Sequence, residues 1–467
     1  MKTLSGFNYA EIQFSKSAEV AGRAGYDDLL NDAAAPPGGD VIVLAHGWNN
    51  DMAEARALYS GLAAQLRSVH DSEAGAVLHA GPRRLTLLGL LWPSKKFAEQ
   101  ALIPGGAAAV GSPAPDAALG AHIDGLRGVF DAADADERLG RARQLGPRLA
   151  DSPAARDEFV ETLRGLLPDA AADPDDLPGQ VLALPGREVL ARLAPPVLPA
   201  GISGGPAGPG AAAAMGGGPS GAGGPYGAGG PSGPYGAAAS SAAALGLPFG
   251  GVRAGAQRLL NLFTYYQMKA RSATVGAAAA HVLGELRERQ PGIGLHLAGH
   301  SFGGRLVSTA TVTATSGRAL QPDSVTLLQA AFSHYGFARS YDGEHDGFFR
   351  KMITDSMVAG PVLVTHSAQD LAVGVAYPLA SRLAMQAASW LGDANDRYGG
   401  IGRNGAQKTP ESVAAGLLAV GMPYALTAGK VHNLRADALI TGHSDIVRPE
   451  VAYAILSAVA CRGAAAC

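Results

Sequence analysis

Cysteine is almost absent. Two stand in 467 residues, Cys461 and Cys467, both at the C-terminal end. That excludes a small disulfide-stapled fold, and with no neighbouring Cys or His cluster the pair reads as two incidental thiols. Lysine is scarce, and the net charge is only −3. No global basic field exists to hold nucleic acid. Charged residues make up 16% of the chain and hydrophobic ones 47%, which excludes charge-driven disorder. No stretch of about 18 apolar residues runs uninterrupted, so no membrane helix is expected. The start, MKTLSGFNYAEIQFSKS, has no apolar run behind its basic residue. It does not read as a secretory leader, and a cytoplasmic protein is expected.

Glycine (64) and proline (30) are abundant instead. Glycine does not recur at every third position, which excludes collagen. The excess concentrates between Gly201 and Gly250, where Gly, Ala, Pro and Ser fill 43 of 50 positions. Such a segment buries too little apolar area to offset the entropy of ordering its backbone, and reads as a flexible linker or loop. Upstream, 134–149 and 152–167 have helical spacing, and Ser152-Pro153 suits a helix start. The chain therefore divides into a core of 1–96 and 254–467, a helical insertion of 97–200, and a Gly/Ala/Pro-rich flexible segment of 201–253.

The core alternates short apolar runs with helical patterns. The runs are 41–45, 85–91, 293–298, 325–328 and 361–365. The helices are 52–69, 273–288, 371–388 and a terminal one from Pro449. Buried strands alternating with helices predict an α/β fold, a mainly parallel sheet with helices on both faces. Ligands in such sheets meet the carboxyl ends of the strands, so residues following each run are the candidates.

After 293–298 comes Gly299-His300-Ser301-Phe302-Gly303-Gly304, a G-x-S-x-G between strand and helix. Gly299 and Gly303 permit the tight turn that would expose the Ser301 hydroxyl. The pattern by itself is weak, because this composition yields about half a match by chance. A second copy, Gly201-Ile-Ser203-Gly-Gly205, lacks the strand and the helix. After 41–45 comes His46-Gly47-Trp48-Asn49-Asn50. The backbone N–H groups of Trp48 and Phe302 are candidates for an oxyanion hole, with His46 and Gly47 shaping the loop. After 361–365 comes Asp370, the candidate acid, where a helix-capping Asp would look similar. Near the end Gly442-His443 follows the short apolar run 438–440. His443 is preferred as base to His432, which precedes that run, and to His366, which lies too close to the acid.

The order Ser301, Asp370, His443 is that of the α/β-hydrolases. The chain resembles that superfamily, and most closely a bacterial group of serine hydrolases with an HGWNN loop and a Trp-Pro-Ser-Lys strand end. Here these are 46–50 and Trp92-Pro93-Ser94-Lys95-Lys96. Tyr266-Gln-Met-Lys-Ala-Arg271, Thr365-His-Ser-Ala-Gln-Asp370 and Gly442-His-Ser-Asp445 add to the likeness. The resemblance implies the α/β-hydrolase fold and a serine hydrolase acting on a small-molecule ester or related acyl compound, without metal or organic cofactor. Acyl transfer, thioester or amide cleavage, and a non-catalytic interaction protein on the same scaffold are the alternatives. The insertion is rich in Asp and Arg and lacks an aromatic face, which speaks against a membrane surface. It names no protein partner. Excision of 201–250 is expected to shift the melting temperature by less than the ~2–4 °C that 1 kcal/mol produces in a domain of 150–250 residues. A larger fall in thermal denaturation would show that the stretch is packed.

Overall fold

A computed structural model describes residues 1–31, 39–48, 50–78, 83–94, 115–167, 184–194, 251–315, 317–370 and 399–464. The glycine-rich stretch and the helix expected at 371–388 lie outside the described residues. A ten-stranded sheet forms the centre. Its strands are β1 (Lys2–Leu4), β2 (Phe7–Phe14), β3 (Val20–Gly22), β4 (Asp40–Ala45), β5 (Leu85–Leu91), β6 (Gly294–His300), β7 (Ser324–Leu328), β8 (Val362–His366), β9 (Ser412–Gly416) and β10 (Val431–Arg435). Their spatial order is β1-β2-β5-β4-β6-β7-β8-β10-β9, with β3 paired to β2. From β2 to β9 all neighbours are parallel, and β1 and β3 join antiparallel at one edge. The α/β class expected from the alternating runs is present.

The principal helices are α1 (Met52–His70), α2 (Pro115–Gly125), α3 (Ala135–Leu145), α4 (Pro153–Arg164), α5 (Gly186–Leu193), α6 (Val252–Arg289), α7 (Phe302–Val312) and α8 (Pro449–Ala460). Strand β4 is buried along its whole length. Val41, Val43 and Ala45 pack on one side with α6 and α7, and Ile42 and Leu44 on the other with α1 and α8. Both faces are thus covered, which is why the central runs read as continuously apolar. Helix α1 starts where Asp51 and Glu54 form a capping box. Helix α4 starts at Ser152, whose Oγ accepts from the Ala155 N–H at 3.1 Å.

Four expectations shift. Strand β6 runs two residues further than the apolar pattern, through Gly299 and His300, because sheet pairing with β4 and β7 continues to the turn. Helix α6 is 38 residues long, not 16, and begins at Val252. Its early turns pack on α5, where a Cβ at Gly255 would lie 2.5 Å from the Leu190 carbonyl. The insertion shares one apolar cluster with the core through this helix. The run before His443 is a turn, and the strand is β10, which contains His432. Cys461 is buried and disulfide-bonded, against the expectation of incidental thiols. Cys467 lies outside the described residues. Among the described residues no helix is long and apolar enough to cross a membrane.

At the amino ends of the central strands, buried Asp40 accepts from His296 Nε2 at 3.3 Å and Arg462 Nη1 at 3.0 Å. Arg83 lies 3.5 Å away. Gly294 leaves the room, since a Cβ there would sit 2.0 Å from Asp40 Oδ1. Burial pushes the Asp40 carboxyl up, but the His296 hydrogen bond and the neighbouring cations outweigh it, and the net shift is downward. A depressed folded value contributes stability above the unfolded pKa of about 3.9, lost as pH falls through the folded one. Asp40→Asn is expected to cost about 1–3 kcal/mol near pH 7, since it removes a buried charged acceptor from His296 and Arg462, while Arg462 keeps Asp323 at 3.6 Å. The deficit should shrink in denaturation curves below about pH 4. An equal deficit at all pH values would contradict the assignment.

Candidate active site

The parallel register aligns the carboxyl ends. Ala45 pairs with Gly299, His300 with Leu328, and Leu328 with Thr365. The segments that follow β4, β6, β7 and β8 therefore open on one edge of the sheet. Ser301 lies on the turn between β6 and α7 at φ 56°, ψ −124°. A non-glycine residue rarely adopts this conformation, and it persists only where the surroundings enforce it. Here the Ser301 N–H donates to the Leu328 carbonyl at 3.0 Å, and the Ser301 carbonyl accepts from Gly304 and Ala331, each at 3.0 Å. Clearance is minimal. A Cβ on Gly299 would lie 2.3 Å from the Gly303 carbonyl oxygen, and one on Gly303 would lie 2.1 Å from that of Ala45.

Asp370 and His443 meet. His443 Nδ1–H donates to Asp370 Oδ2 at 2.8 Å, which leaves Nε2 as the free basic nitrogen. Asp370 is fully buried and the His443 side chain is 19% exposed. The His443 loop is fixed to the nucleophile turn by His300, whose Nε2–H donates to the His443 carbonyl at 2.9 Å. The two imidazoles lie 4.9 Å apart. Among the described residues, Ser301 Oγ and His443 Nε2 share no hydrogen bond. Burial, and then the neighbouring His443, hold His300 neutral down to about pH 3. His432 lies within β10 and takes the Thr427 N–H at 3.1 Å. His366 ends β8.

His46 is fully buried. Its Nε2 accepts from the Trp92 N–H at 3.1 Å and its Nδ1–H donates to the Gly47 carbonyl at 3.0 Å. Burial lowers its pKa to about 4. Both ring nitrogens are committed, so it braces the loop. The Gly47 carbonyl also accepts from Asn50 Nδ2 at 3.3 Å, and Ser94 Oγ lies 2.9 Å from it. In a trans peptide the next N–H points the opposite way, so the Trp48 N–H is turned from these anchors. Gly47 itself abuts the serine, since a Cβ there would lie 2.4 Å from Ser301 Cβ. Among the described residues neither the Trp48 nor the Phe302 backbone N–H has an acceptor.

Comparison of the chain with protein-family models, curated proteins and solved structures finds no match.

One participant escaped the sequence reading. Gln329, fully buried at φ 45°, directly follows β7. Its Nε2 donates to Asp370 Oδ2 at 3.3 Å and to the Gly402 carbonyl at 2.9 Å, and its Oε1 accepts from Thr365 Oγ1 at 3.0 Å. It holds the acid from behind while His443 holds it in front. The signal was available, because Gln329 follows the run 325–328 and obeys the same rule that picked the other residues. Asn49, Lys95, Lys96 and the second G-x-S-x-G lie outside the described residues. Gln329→Leu is expected to lose about 1–3 kcal/mol in denaturant unfolding, because it removes buried hydrogen bonds to Asp370, the Gly402 carbonyl and Thr365. Unchanged stability would show that the amide contributes nothing there.

Proposed function

We propose that this chain is an α/β-hydrolase-type serine hydrolase that cleaves a carboxylic ester or related acyl substrate. The observation that carries the reading is a juxtaposition: a serine on a strained strand-to-helix turn, and an Asp370–His443 pair 2.8 Å apart whose loop is bonded to His300, the residue before that serine. Ser301 is only 3% exposed, so the turn does not expose it as the sequence pattern predicts; strain at a buried polar position still needs a reason, and a nucleophile held on such a turn supplies one.

In this mechanism Ser301 Oγ attacks the acyl carbon and its proton passes to His443 Nε2. The Ser301–His443 hydrogen bond, open in the free protein, tightens on binding substrate. Asp370 keeps the His443 proton on Nδ1 and stabilises the imidazolium. The negative charge growing on the carbonyl oxygen is met by the Trp48 and Phe302 N–H groups, helped by the N-terminus of α7. His443 then protonates the leaving alcohol. A water, deprotonated by His443, cleaves the acyl-enzyme and regenerates Ser301. The same steps would serve a thioester, an amide or transfer to another alcohol.

The test is labelling with a fluorophosphonate probe, followed by turnover of nitrophenyl esters of rising chain length. Wild type is expected to label, and Ser301→Ala is not. Turnover by Ser301→Ala or His443→Ala should fall by about 10⁴-fold or more. Equal labelling of the alanine variant would overturn the nucleophile, and near-full turnover by His443→Ala would overturn the base. His46 and His300 stay neutral down to about pH 4 and about pH 3, so an acid limb above that range belongs to neither.

A further inference from the structure

The insertion has no role in the reaction just described, yet it is tied to the loop that carries the oxyanion donor. Arg271 lies in α6 with its side chain 2% exposed. Its Nη2 donates to the Val129 carbonyl at 2.7 Å and to Asp131 Oδ1, both in the insertion. Its Nη1 donates to the Pro93 carbonyl at 3.1 Å, just past β5. One helical turn earlier, Gln267 clasps the same aspartate: its Nε2 donates to Asp131 Oδ2 at 2.6 Å and its Oε1 accepts the Asp131 N–H at 3.2 Å. The segment Trp92–Ser94 is thereby held on one side by the insertion. On its other side it holds the loop after β4. The Trp92 N–H binds His46 Nε2 at 3.1 Å, and Ser94 Oγ lies 2.9 Å from the Gly47 carbonyl and 3.0 Å from that of Asn50.

These contacts form one continuous chain, Asp131 to Arg271 to Pro93–Ser94 to the Gly47–Trp48 peptide. We propose that the helical insertion braces the oxyanion loop, with Arg271 as the positioning residue that transmits it and Asp131 as its anchor. A guanidinium suits the post, because its planar fork binds several carbonyl and carboxylate oxygens at once, which an ammonium cannot match in geometry. The catalytic consequence rests on the hydrolase reading above, whereas the mechanical link does not.

The experiment therefore reads both on the full chain. Amide hydrogen exchange is followed in the 46–50 loop and, as an internal control, in β4. Fluorophosphonate labelling rates are measured in parallel, well below each variant's melting temperature. The first variant is Asp131→Ala, whose side chain is 43% exposed, so that the fold survives the change. The second is Arg271→Lys, which keeps the charge and loses the fork. Both are expected to raise loop exchange about tenfold, the size of one charged hydrogen bond, with β4 unchanged, and to slow labelling by a similar factor. Unchanged loop exchange overturns the brace. Faster loop exchange with an unchanged labelling rate overturns the positioning role. If wild type does not label, the nucleophile reading falls, and loop exchange alone decides whether the brace stands.

Discussion

The backbone of Ser301 is held at φ 56°, ψ −124°, and much of the surrounding structure is arranged to permit it. Strain of this kind costs on the order of 1–3 kcal/mol and must be over-determined by its neighbours. The neighbours here are the carbonyls of Leu328 and Ala45, the Ala331 N–H, and glycines 47, 299 and 303, none of which has room for a side chain. Because the turn is clamped between β4 and β7, any element that sets the register of those strands also sets the serine. Helix α6 does so from one face: Gly276 brings it so near α7 that a Cβ would lie 2.5 Å from the Leu306 carbonyl.

Around this turn the polar groups divide by the work that burial allows them. His46 and His300 are buried without a charged partner, and desolvation lowers both, to about 4 and about 3. Neutral imidazoles with fixed tautomers are rigid hydrogen-bonding wedges, and each binds a backbone group of a loop beside Ser301. His443 differs in having a carboxylate on one nitrogen and solvent access at its side chain. Three histidines near one serine thus take two roles, set by environment alone.

Polar residues also run outward from the site. Gln329, anchored by Thr365 and Gly402, backs Asp370 directly, and Ser94 and Trp92 back the loop after β4. Buried polar networks of this sort are worthwhile only when their members are satisfied, and they then fix one geometry. Loops carry the proposed chemistry, and these networks give the loops the rigidity of the sheet.

The apolar runs at 41–45, 85–91 and 361–365 marked their strands to within a residue, since a strand buried on both faces has little choice but to be apolar. G-x-S-x-G marked the turn because only glycine fits there. The other strands were missed: β1, β3 and β9 are short or half exposed, and the interior β2 and β10 mix polar with apolar residues, so none has the continuous pattern of a strand buried on both faces. The length of α6 was missed because its two ends pack on different partners and no single apolar stripe runs its length. The sequence alone, then, determined the class of fold, the order Ser301, Asp370, His443, and the glycines at the turn, all of which are local or periodic properties. Only the tertiary structure decided that Asp370 and His443 bond, that Gln329 stands behind them, and that Arg271 links the insertion to the loop after β4. Those facts depend on which strand ends lie side by side, and side-by-side placement is set by packing between segments far apart in the chain.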